Sequence, residues 1–142
     1  MKTSQIARFL LVATLPLVLA ACGTSGHKGL FATSPSSTTQ DRLLLQLGNG
    51  LLGNAANSLS AADRQKALEA EYRALEYSPA GRVVEWTGRG GSNGDVTAAQ
   101  PYQVGSQNCR QYTHSFSIAG GAVQTMRGTA CRNPDGSWTP LT

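Results

Sequence analysis

An α+β fold, with one helix laid on one face of a small antiparallel sheet of about four to five strands, is predicted by three observations. Leu68, Tyr72 and Leu75 recur at helical spacing behind a serine cap, and short β-branched and aromatic runs separated by turn residues follow from residue 82 onward. Two cysteines also fall opposite each other when the clearest hairpin in the chain is closed. The first part of the 142 residues is organised differently, as a charged start, an apolar run and then small polar residues, which is the layout of targeting and tethering.

Residues 1–8 carry Lys2 and Arg8 and no acid, residues 9–19 are almost unbroken hydrocarbon, and Ala20 and Ala21 lead to Cys22. This predicts an export signal over residues 1–21. The uncharged stretch 9–21 contains Pro16 and is shorter than the roughly 20 apolar residues a spanning helix needs. Leu19-Ala20-Ala21-Cys22 resembles the lipobox of bacterial lipoproteins. That resemblance implies a thioether-linked diacylglycerol and a fatty acyl group such as palmitate on the amine of Cys22, with the membrane as partner through that lipid. Ordinary cleavage after Ala20 or Ala21 is the alternative.

Loss of Lys2 and Arg8 with the signal takes the formal charge from +4 to +2. Cations scattered singly make no stripe that would track a phosphate backbone, so nucleic acid is not an expected partner. If Cys22 carries lipid, Cys109 and Cys131 remain as one disulfide pair in an oxidising compartment. His27 and His114 have no companion ligands at short spacing, so no metal and no cofactor is expected.

Residues 22–40 are rich in Gly, Ser, Thr and Pro, a composition that cannot bury enough apolar surface to order itself, and are expected to form a flexible tether. Its root-mean-square reach is on the order of 24 Å. Residues 41–59 form a leucine- and glycine-rich helical segment in which Leu44, Leu47 and Leu51 share a face and Asp41 is placed to cap it. Packing on the domain or a partner competes here with membrane contact. The amides Gln46, Asn49, Asn54 and Asn57 and the short length argue against spanning.

The domain proper is expected over residues 60–142. Ser60 caps a helix with Asp63 in its first turn, and Ala67, Leu68, Ala70, Tyr72, Ala74 and Leu75 form its apolar stripe. Glu69, Glu71, Glu76 and Glu85 are taken as solvated charges. Ser78-Pro79-Ala80-Gly81 ends the helix. Residues 82–87 form a strand and residues 88–94 a hairpin loop, which lacks the Gly-Lys-Ser/Thr ending of a phosphate loop. Residues 95–104 form a second strand weakened by Pro101.

Ala119-Gly120-Gly121 divides two ten-residue runs, and pairing Ile118 with Ala122 across it sets Cys109 opposite Cys131. The same register puts Tyr112, Phe116, Ile118 and Met126 on a buried face, with Tyr112 over Gly128. Thr113, Ser115, Thr125 and Thr129 take a wet face. A bridge closing a loop of about 22 residues stabilises by on the order of 3 kcal/mol. Asn133-Pro134-Asp135-Gly136 turns the chain into a last strand containing Trp138.

The segment from Ala61-Ala62-Asp63-Arg64 through Tyr77-Ser78-Pro79-Ala80-Gly81 and Trp86, to Cys109-Arg110-Gln111-Tyr112 and the string Cys131-Arg132-Asn133-Pro134-Asp135-Gly136-Ser137-Trp138, resembles the C-terminal domain of the rickettsial 17 kDa surface antigen family. The resemblance covers about residues 60–142. It implies an outer-membrane lipoprotein of a Gram-negative envelope, lipid-anchored on the periplasmic face or at the cell surface. Many members carry a long glycine-zipper hairpin, of which Gly48, Gly50 and Gly53 are only a short, irregular counterpart.

No motif sets a histidine beside an acid, so catalytic residues are not expected. The expected function is non-enzymatic, structural or in support of envelope integrity, with an envelope protein as partner. The alternative is a lipid-tethered protein- or ligand-binding module, an inhibitor or assembly accessory. Trp86, Tyr102, Tyr112, His114 and Trp138 are the contact residues this would use, though each also suits a core.

Overall fold

The computed structural model describes residues 35–141. The expected signal peptide, Cys22, His27 and most of the expected tether lie outside the described residues. Helix α1 spans Pro35–Leu45 and so begins inside the stretch expected to be tether. Proline suits a first helical turn because its fixed φ is already helical and its missing N–H would have no partner there. Asp41 consequently sits within α1 and does not cap a helix of its own.

The leucine-rich helix is not continuous. Gly48 and Gly50 adopt left-handed φ values of 60° and 54°, and the chain re-forms as a 3-10 helix over Gly50–Ser58 that is itself kinked at Gly53. A helix needs every φ negative, so these glycines break the spacing that puts Leu44, Leu47 and Leu51 on one face. Leu44, Leu47, Leu52 and Ala56 nevertheless enter the same hydrophobic core as the sheet. These residues therefore belong to the fold that the sequence reading began at residue 60. Among the described residues no helix is long and apolar enough to cross a membrane.

Helix α2, Ala61–Glu76, starts as expected, with Ser60 Oγ accepting the Asp63 amide at 3.1 Å. The strands β1 Val83–Thr87, β2 Asn93–Ala98, β3 Tyr102–Val104, β4 Gln107–Ser117, β5 Gln124–Arg132 and β6 Trp138–Leu141 form one antiparallel sheet. Its order is β1-β2-β4-β5-β6, with β3 also pairing β4. The expected strand 95–104 is split into β2 and β3. Ala98 pairs Tyr112 but Tyr102 pairs Cys109, so one extra residue is accommodated across residues 99–101, where Pro101 can donate no ladder bond.

The predicted hairpin register holds: Cys109 pairs Cys131, Tyr112 pairs Gly128 and Phe116 pairs Gln124. The disulfide joins Cys109 to Cys131, with Cα atoms 4.0 Å apart. The connecting loop is wider than three residues because it docks on the β1–β2 loop. The Ala119 amide donates to Ser92 Oγ at 3.1 Å, and Ser117 Oγ donates to Gly121 O at 2.7 Å.

Helix α2 and the 3-10 helix cover one face of the sheet. Val84, Trp86, Val96, Ala98, Tyr112, Phe116, Ala130 and Trp138 are buried in the shared core. Met126 shares the strand parity of these residues yet is 47 % exposed. The helical layer reaches Gly128, where Leu51 rests, and leaves the start of β5 open.

Candidate functional site

The most concentrated chemistry in the domain lies under α2. Glu71 and His114 are both fully buried, and His114 Nδ1 stands 2.7 Å from Glu71 Oε1. The Trp86 indole N–H donates to His114 Nε2 at 2.8 Å. An indole only donates, so Nε2 is the acceptor, the ring is neutral, and the proton sits on Nδ1 and is given to Glu71. Glu71 Oε1 also accepts the Leu51 amide at 2.9 Å. The network thus ties β1, β4, α2 and the 3-10 helix to one carboxylate.

Two glycines make the arrangement sterically feasible. A Cβ on Gly50 would overlap the Glu71 carboxylate, and one on Gly94 would lie 2.7 Å from Trp86 Nε1. Glu71 Oε2 and the Tyr112 hydroxyl are buried without a hydrogen-bond partner. Burial, followed by the nearby charge of Glu71, pushes the Tyr112 phenol far above its ordinary value. A carboxylate orienting an imidazole is half of a nucleophile-activating triad. Here the nitrogen that would take a nucleophile's proton is held by Trp86.

The taking of Glu71 as a solvated charge is overturned by this geometry. It lies one turn from both Leu68 and Leu75, on the apolar stripe of α2. Glu76 is likewise engaged, accepting Arg132 Nε and Nη2 at 2.8 Å each and Trp138 Nε1 at 2.8 Å. The paired Arg132 guanidinium is the main cause that lowers the Glu76 carboxyl below its usual range. Arg110, which sequence reasoning did not single out, closes the end of α2. Its Nη1 donates to Ala74 O, Leu75 O and Ser78 O at 3.0, 2.7 and 3.0 Å, and its Nε to Ala99 O at 2.8 Å. Ala74 O and Leu75 O are among the carbonyls a helix end leaves without intrahelical partners.

Of the expected contact residues, Trp86, Tyr112, His114 and Trp138 are buried in the core and only Tyr102 is exposed. Their aromatic area is spent on packing: His114 lies edge-on to Phe116 at 5.2 Å and to Trp86 at 6.0 Å. What a partner can reach is the opposite face of the sheet. A shallow groove of about 520 Å³ there is lined by residues including Thr97, Gln111, Thr113, Arg127 and Thr129. Among the described residues, no three His, Cys, Asp or Glu side chains are grouped so as to hold a metal ion.

Comparison with known proteins bears on the same residues. The chain is 42% identical over 78 residues to a 17 kDa surface antigen of Rickettsia bellii, covering 54% of this chain and 48% of that protein. It is 44% identical to the 17 kDa surface antigen of Rickettsia felis and 41% identical to that of Rickettsia prowazekii, with the same coverage. The chain thus spans about half the length of the curated relatives it matches. No solved structure matches. Residues 73–139, which run from the last turn of α2 into β6, match the family described as the 17 kDa outer membrane surface antigen, and the resemblance carried by Tyr77–Gly81 and the terminal Cys131–Trp138 string holds.

Proposed function

We propose that this chain is a non-enzymatic, lipid-anchored outer-membrane protein that presents a small disulfide-bonded domain and serves a structural or envelope-integrity role. The observation that carries the non-enzymatic part is the closed network: among the described residues the one buried carboxylate–imidazole pair spends its second imidazole nitrogen on Trp86 and has no exposed atom. The envelope location rests on the match of residues 73–139 to an outer membrane surface antigen family and on Leu19-Ala20-Ala21-Cys22. The lipid is attached at Cys22 as diacylglycerol and palmitate, and the mature chain begins there. Metabolic labelling with a fatty acid tests this. Label is expected on the wild-type chain and lost in Cys22→Ser, and a Cys22→Ser chain that still labels overturns it.

A second reading, a tethered binding module, is favoured by the shallow groove lined in part by Thr97, Gln111, Thr113, Arg127 and Thr129 on the uncovered sheet face. Its partner would be an envelope protein or ligand, with no role for nucleic acid, metal or cofactor. Affinity capture with the full chain, with and without Cys22→Ser, separates the two. A partner kept by the unacylated chain and lost on Arg127→Glu supports the module, and a partner lost with the lipid alone supports the anchored structural role.

A further inference from the structure

We propose that residues 44–58 form a strap that leaves the domain as a single unit and is latched by the Glu71 carboxylate. Leu44, Leu47, Leu52 and Ala56 bury their side chains in the core, and Leu51 rests on Gly128 of β5. The backbone bonds of this stretch stay within it, as in Leu47 N–H to Leu44 O at 3.0 Å, Gly50 N–H to Leu47 O at 2.8 Å and Leu59 N–H to Ala56 O at 3.2 Å. Undocking therefore breaks no rung of the sheet. Among the described residues, one hydrogen bond joins the Gly50–Ser58 helix to α2 or the sheet, from the Leu51 amide to Glu71 Oε1 at 2.9 Å. Gly50 sits directly against that carboxylate.

Left-handed glycines stand at Gly48, Gly50 and Gly53, and the 3-10 helix has no side-chain cap at its start, so the strap carries little local stability of its own. The links beneath it, Trp86 to His114 and His114 to Glu71, do not pass through the strap and survive its departure. Undocking turns the leucines outward and bares the sheet around Gly128. The domain thus has a covered and an open form of the same face.

Native-state hydrogen exchange on the full chain tests the proposal. In the wild type the amides of Leu51 and Leu52 should exchange at least ~10-fold faster than those of Tyr112 and His114, with a denaturant dependence above zero but smaller than that of β4, as a sub-global opening that exposes the leucines requires. Gly50→Ala places a Cβ in the carboxylate and should speed exchange of the strap while β4 keeps its protection. Gly48→Ala imposes a positive-φ strain of its own with open space around the new Cβ, and should speed the strap markedly less. Strap and β4 amides exchanging together in the wild type would overturn the proposal. So would Gly50→Ala unfolding strap and sheet as one, or Gly48→Ala and Gly50→Ala behaving alike.

Discussion

Replacing Glu71 with leucine removes the acceptor on which the buried network ends. Two donors lose their partner, the His114 Nδ1–H in the fully buried pair and the part-buried Leu51 amide. At about 1–3 kcal/mol for each stranded group the cost is about 2–6 kcal/mol. That range brackets the ~3–5 kcal/mol typical of breaking a buried pair from one side. Glu71→Leu should therefore cost about 4 kcal/mol, on the order of 15 °C in melting temperature for a domain of this size. Glu71→Gln keeps an oxygen in place of Oε1 and turns an amide toward the Tyr112 hydroxyl, so it should cost under ~1 kcal/mol. Urea unfolding followed by tryptophan fluorescence and circular dichroism measures both. A Glu71→Leu cost below about 1 kcal/mol, or a Glu71→Gln cost equal to it, would refute the donor accounting.

Opening the disulfide with Cys109→Ser and Cys131→Ser together should cost about 3 kcal/mol, from the loop of 22 residues that it closes, and shows as a lower urea midpoint. The Glu76 carboxyl is lowered chiefly by its bonds from Arg132, so its contribution is present above the ordinary carboxylate range near pH 4.5 and fades as pH falls through the lower folded value. Glu76→Gln should flatten that acid slope in pH-dependent melting. Tyr72, whose phenol is pushed up to about 12 chiefly by burial, favours folding below about pH 10 and loses that contribution as pH rises to about 12. Absorbance titration at alkaline pH should show its ionisation late, and Tyr72→Phe should remove that step.

The sheet was legible because β-structure repeats every two residues and the turn at residues 119–121 set the phase, so one pairing determined the positions of Cys109, Tyr112 and Phe116 together. The same parity also puts His114 inside, and the spacing of Leu68 and Leu75 puts Glu71 on the buried stripe of α2. Each polar residue alone suggests a surface position. Only the pair, which neutralises the cost of burying either one, makes the core position stable, and its members stand 43 residues apart. Arg110 escaped for a related reason, since its partners are backbone carbonyls at the end of α2 that carry no sequence signature. The leucine-rich segment was expected as one continuous helix because leucine spacing reports a face and not the positive-φ glycines that interrupt it.

The direction of the network makes one coupling predictable between residues that share no hydrogen bond. Trp86 gives its N–H to His114, and His114 gives its own to Glu71, so the imidazole is held from both sides in a single tautomer. With Glu71 present, Trp86→Phe leaves His114 Nε2 as a buried acceptor with no donor, at about 1–3 kcal/mol. With Glu71→Leu already made, Trp86 alone holds the ring, which is free to turn once the indole donor goes, so the same Trp86→Phe change should cost measurably less. Independent sites add to within about 0.3–0.5 kcal/mol. A double-mutant cycle between Trp86→Phe and Glu71→Leu should therefore show an interaction energy above that limit, read through His114. Strict additivity would mean that the imidazole does not transmit a preferred orientation from β1 to α2, and the tautomer assigned from the indole donor would be wrong.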